Sequence, residues 1–146
     1  MTFDELKSKD PIDILARTLW GEARGEGYKG MHAVCNVVLN RSAYALSRKK
    51  GFWWGSDIVS VCLKPWQFSC WNKNDPNRQK LVNVTAYDRS FELALSIAKR
   101  AINGELDDIT LGADHYHLKT LSPFWTKDET PVCTIGNHIF YALYNR

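Results

Sequence analysis

The sequence predicts an α+β fold that is mainly α, a helical body with a small β-rich C-terminal segment. Apolar residues recur at helical spacing in three stretches of the first 103 residues. In the last stretch, VCTIGNHIFYAL, β-branched and aromatic residues surround an Ile135-Gly136-Asn137 turn. The 146 residues, 45% hydrophobic and 24% charged, are enough for one packed core, so residues 1–146 are expected to form a single domain.

The first helix starts at Asp10-Pro11-Ile12-Asp13, with Asp10 as N-cap, Pro11 in the first helical position and Asp13 near the positive helix end. It runs to about Gly25. Ile12, Leu15, Leu19 and Glu22 fall at helical spacing, so Glu22 continues the apolar stripe. After the Gly25–Gly27 break, residues 28–46 form a second helix with Met31, Val34, Cys35, Val38 and Leu39 on its inner face. Residues 47–56 read as a loop; Asp57 caps a short helix to Leu63 and Pro65 ends it. Residues 72–80 read as polar loop. A third helix spans about Tyr87 to Asn103, buries Leu93, Ala94, Ile97, Ala98, Ala101 and Ile102, and closes at Gly104.

The net charge of +3, with Arg48-Lys49-Lys50 the longest basic run, gives no footprint for nucleic acid. No stretch is long and apolar enough to span a bilayer, and MTFDELKSKDP has no apolar signal region. The expectation is a monomer made in the cytoplasm. Cys35, Cys62, Cys70 and Cys133 lack the spacing of a Cys-ligated metal site and are expected as free thiols, Cys35 packed in the core. Trp20, Trp53, Trp54, Trp66 and Trp71 are clustered along the chain, where indoles serve either as core or as platforms for sugars.

The stretch WGEARGE holds two carboxylates, Glu22 and Glu26, four residues apart. Glu22 is set against nonpolar neighbours near the negative end of a helix, which disfavours its charged form and suits it to protonate a leaving glycosidic oxygen. Glu26 lies beyond a helix-breaking glycine and is open to three roles: orienting Arg24, capping the second helix, or serving as a second catalytic carboxylate. His115 and His117 alternate in HYH and, with His138, offer either a zinc site or hydrogen-bonding groups in a wet groove.

Together, GEARGE, GMHAVCNVVLNR, QFS, GADHYH with SPFW, and IGNHIFY resemble, in order and spacing from about residue 12 to 142, the cell wall hydrolase family of the SleB and CwlJ type. The resemblance implies a lysozyme-like helical fold. It also implies cleavage of peptidoglycan glycan strands beside N-acetylmuramic acid, by a lytic transglycosylase or a muramidase, with Glu22 as catalytic acid and no cofactor. On this reading Glu26 joins Glu22 in catalysis as the base if water is the nucleophile, and Tyr116 supports the developing charge. Gln67 and Ser69 hydrogen-bond the substrate, Phe68, Trp71 and Trp125 are candidate groove walls, with Phe68 and Trp125 equally suited to the core, and His115 and His117 line the groove. The implied partner is the glycan strand, with no nucleic acid and no membrane insertion. A compact wall hydrolase of this kind resembles a phage endolysin, which reaches the wall through a holin or on a virion. The rival readings are a zinc-dependent amidase or peptidase on His115, His117 and His138, and a non-catalytic glycan-binding module built on the tryptophans.

Overall fold

A computed structural model describes residues 2, 4–5, 10–48 and 50–145; Lys49 of the basic run and most of MTFDELKSK lie outside the described residues. Five helices of the body are α1 (Pro11–Ala23), α2 (Gly27–Leu46), α3 (Ile58–Leu63), α4 (Asn77–Asn83) and α5 (Arg89–Ile102). The strands β1 (His115–Leu118), β2 (Cys133–Ile135) and β3 (His138–Tyr141) follow, and one-turn 3-10 helices occupy Arg24–Glu26, Ser69–Trp71 and Phe124–Thr126. The architecture is thus α+β and mainly α.

The helix starts obey local chemistry. Asp10 accepts from Asp13 N ahead of Pro11, Asp57 forms a reciprocal capping box with Ser60, and Asp88 accepts from Phe91 N. Helix α5 ends at Ile102, with Gly104 at φ +73 just beyond it. The stretch read as polar loop at residues 72–80 is corrected: its second half is the start of α4. That helix forms because Leu81 and Val82 are buried, and because Arg17 Nη1 donates to Leu81 O and Val84 O near the helix end. Both reasons are tertiary, and the polar composition of the segment conceals them.

Helix α1 is the centre of the body, touching α2, α3, α4 and α5, with Ile14, Leu15, Ala16 and Leu19 fully buried. The sheet has strand order β1-β3-β2, all antiparallel, and the β2–β3 hairpin turns at Gly136 with φ +58. A second apolar cluster, Ala33 and Val37 of α2 with Ala113, Ile135 and Phe140, fastens the sheet to the body. The fully buried Asp114 carboxylate accepts backbone N–H groups from Leu143, Tyr144 and Asn145 and lies 2.9 Å from His115 Nδ1, tying the C-terminal turn to β1. Among the described residues, no helix is long and apolar enough to cross a membrane.

Candidate active site

A cleft of about 560 Å³ opens between the C-terminal end of α1 and the sheet. Glu22, Glu26, Ser69, Tyr116, His117 and Trp125 border it, joined by Asn137 and His138. Glu22 is half-buried and held at both oxygens: Tyr116 Oη donates to Oε1 at 2.5 Å and Cys70 N donates to Oε2 at 3.2 Å.

The approach of the Cys70 backbone to Glu22 has two local causes. Trp71 Nε1 donates to Thr18 Oγ1 at 2.9 Å, anchoring the Ser69–Trp71 turn one helical turn before Glu22 on α1. Gly21 removes the obstacle, since a Cβ there would lie 2.8 Å from Cys70 Cβ and Sγ and from Leu81 Cδ2. Tyr116 has its pKa raised well above 10 by burial and by the charge and hydrogen bond of Glu22, so it remains a phenol and donates. The Cys70 thiol is likewise pushed up, by burial and then by Glu22, and stays protonated.

Glu26 neither orients Arg24 nor caps α2 with its side chain. Arg24 lies over the Trp20 ring and donates to Trp20 O and Asn77 Oδ1. Both Glu26 oxygens face the hairpin turn: Oε1 accepts from Asn137 N at 2.9 Å, and Oε2 accepts from Asn137 Nδ2 at 3.2 Å. His138 Nδ1 lies 3.5 Å from Glu26 Oε1. Burial lowers the His138 pKa against the opposing pull of Glu26 and Glu22, which leaves the ring neutral at neutral pH.

The remaining expected site residues separate. Phe68 (1% exposed) and Trp71 (5%) are buried side chains that do not border this cleft: Phe68 lies under the buried Arg41 guanidinium, and Trp71 anchors on Thr18. Gln67 turns its Oε1 toward Arg41 Nη1 at 3.5 Å and does not border the cleft. His115 is also off the cleft, between Asp114 and the rings of Trp54, Trp125 and Tyr144. The zinc reading requires His115, His117 and His138 on one face, and the register forbids it. His138 pairs with Leu118, which puts it on the Tyr116 face, whereas His115 and His117 share the opposite face with Tyr141. Among the described residues, no group of three or more His, Cys, Asp or Glu could hold a metal ion.

Two contributors escaped sequence reasoning. The Cys70 backbone N–H has no side-chain signature, and Asn137 was visible only as a turn residue. The tryptophans divide as their dual nature allows: Trp20, Trp54 and Trp71 are buried, while Trp53, Trp66 and Trp125 are exposed.

The site can be compared with known proteins. A family model described as Cell Wall Hydrolase matches residues 25–141. The chain is 27% identical over 133 residues to a spore cortex-lytic enzyme of Bacillus subtilis (strain 168), covering 91% of this chain and 38% of that protein. It is 32% identical over 94 residues to cell wall hydrolase CwlJ of the same organism, 64% of this chain and 57% of that one. The chain thus spans well under two thirds of these relatives. Among solved structures, the catalytic domain of the germination-specific lytic transglycosylase SleB from Bacillus anthracis superposes with a TM-score of 0.67 at 28% identity, over 92% of this chain and 95% of that domain. The Bacillus cereus SleB catalytic domain gives 0.63 at 25% identity, over 90% and 88%. A sheet folded against the end of an acid-bearing helix, the motif order and these matches agree: the chain belongs to the cell wall hydrolase family.

Proposed function

We propose that the chain is a peptidoglycan lytic transglycosylase that cleaves the bond between N-acetylmuramic acid and N-acetylglucosamine with Glu22 as its one acid–base group. The observation that carries this reading is the state of the two carboxyls in the cleft. Glu22 is oriented by Tyr116 and Cys70 N, whereas both Glu26 oxygens are engaged by Asn137. Cleavage by water would ask for a second carboxylate to activate it, and Glu26 is already engaged in holding the hairpin.

In the first step, protonated Glu22 gives its proton to the glycosidic oxygen as the bond to the muramic acid C1 breaks and the ring flattens toward an oxocarbenium ion. Glu22 is then a carboxylate, the form to which the Tyr116 hydroxyl and Cys70 N–H donate best. In the second step, the C6 hydroxyl of the same sugar attacks C1 and returns its proton to Glu22. No water enters, and a 1,6-anhydro end is left. Tyr116 remains a phenol throughout because its pKa is raised. The similarity to a domain described as a lytic transglycosylase supports the same route.

Mass spectrometry of purified peptidoglycan digested by the protein tests the reading. Anhydromuramic ends are expected; reducing muramic ends would turn the assignment to a hydrolase, and newly freed amino groups would turn it to an amidase.

A further inference from the structure

A second cleft, of about 630 Å³, is bordered by Trp71 of the Ser69–Trp71 turn and by the Leu63–Trp66 segment. Leu63, Trp66 and Trp71 give it apolar lining, and Lys64 and Lys73 give it two lysines. Among the described residues, no acidic side chain borders it. Asp75, close by in the chain, accepts from Asn77 N at Oδ1 and borders a neighbouring pocket together with Lys73 and Arg78, whereas Lys64 does not border that pocket.

Trp66 is the unusual member. Gln67 N donates to Lys64 O at 3.1 Å, closing a turn with Pro65 and Trp66 at its centre, and Trp66 has φ +69. That position of a type II turn favours glycine, and an indole there carries backbone strain. Burial does not offset the cost, because Trp66 is 78% exposed. An exposed indole in a strained turn beside two lysines matches one ligand chemistry: a sugar face to stack on the ring and carboxylates to meet the lysines.

We propose that this cleft is a secondary binding site for the peptidoglycan strand, with Trp66 stacking on a sugar and Lys64 and Lys73 receiving the carboxylates of the lactyl-peptide substituents. The site rests on the proposed action on peptidoglycan and adds to it a second hold on the polymer, through residues that do not border the Glu22 cleft.

Binding separates this site from the chemistry. Glu22→Gln protein is co-sedimented with purified, teichoic-acid-free peptidoglycan, and the retained fraction is compared with that of the Glu22→Gln/Trp66→Ala and Glu22→Gln/Lys64→Glu/Lys73→Glu proteins. Each added change is expected to weaken binding about tenfold, as for loss of one large aromatic contact or of charge pairing. In the Glu22-containing background, Trp66→Ala should leave turnover of short soluble glycan fragments unchanged and slow digestion of intact walls. Unchanged sedimentation in both variants would overturn the site. So would binding that appears only on walls that keep their teichoic acids, since the anion would then be phosphate of another polymer. If Glu22→Gln protein binds as described while wild type releases no glycan fragments, the binding site stands and the catalytic reading fails.

Discussion

Glu22 reaches the cleft from α1, where its neighbours Leu19, Trp20 and Ala23 are sealed in the helical core, whereas Tyr116 reaches it from a three-stranded sheet attached through a cluster of five buried residues. The helical wall is held by shape: Gly21 admits Cys70 at contact distance, and Trp71 anchors on Thr18. The sheet wall adds polar groups to its apolar cluster, with Glu26 on Asn137 and Asp114 on three backbone N–H groups. The helical wall is therefore positioned by close packing, and the sheet wall by packing together with charge. The two walls should fail in different ways.

The largest effect belongs to the residue both walls serve. Glu22→Gln keeps the shape of the side chain and removes the proton donor, so glycan release from peptidoglycan should fall by about a thousandfold with an unchanged melting temperature. Tyr116→Phe removes one hydrogen bond to that carboxyl and nothing from the packing of the ring. Turnover should fall by roughly ten- to a hundredfold, the range for a hydrogen bond to a charged group, with KM little changed.

Gly21→Ala attacks the helical wall by volume alone. The added methyl meets Cys70 and Leu81 at 2.8 Å, so denaturant unfolding should report a loss of about 1–3 kcal/mol, with reduced activity as Cys70 N is pushed away from Glu22. Asp114→Asn attacks the sheet wall by charge. Burial acts to raise the Asp114 pKa, but the hydrogen bonds from His115 and from Leu143, Asn145 and Tyr144 outweigh it and hold the group below its ordinary value. A lowered carboxyl stabilises the fold fully above its unfolded pKa of about 3.9, and that share is lost as pH falls through the lower folded value. Melting temperature followed from pH 5 downward (a range of about three units) should show this acid-induced loss in the wild type and lack that component in Asp114→Asn. At neutral pH the variant should be about 1–3 kcal/mol less stable. A variant as stable as wild type at neutral pH would mean that the network does not hold the wall.

Much of the helical wall was legible because its signals are local. Asp10 and Asp57 act as caps in the folded chain, and of the apolar stripe ending at Glu22, Leu15 and Leu19 are fully buried while Ile12 and Glu22 are half-buried. The sheet wall was legible as β structure with a turn at Gly136, but not in its facing, because a strand's inward and outward residues depend on which partner it pairs with. Pairing put His138 beside Tyr116 and away from His115 and His117, which removed the zinc arrangement. Phe68 illustrates another limit: an aromatic residue suits a sugar groove or a core equally, and burial alone chose the core.

The sequence by itself determined the helices other than α4, the Asp10 and Asp57 caps, the mainly α class and the placing of Glu22 at the end of an apolar face, because each follows from spacing within a few residues. Only the tertiary structure decided what surrounds that carboxyl. Tyr116 is 94 positions away and Cys70 is 48, and Glu26 meets Asn137 across 111. Contacts at such separations depend on how α1, the Ser69–Trp71 turn and the hairpin pack together, and no local pattern encodes that packing.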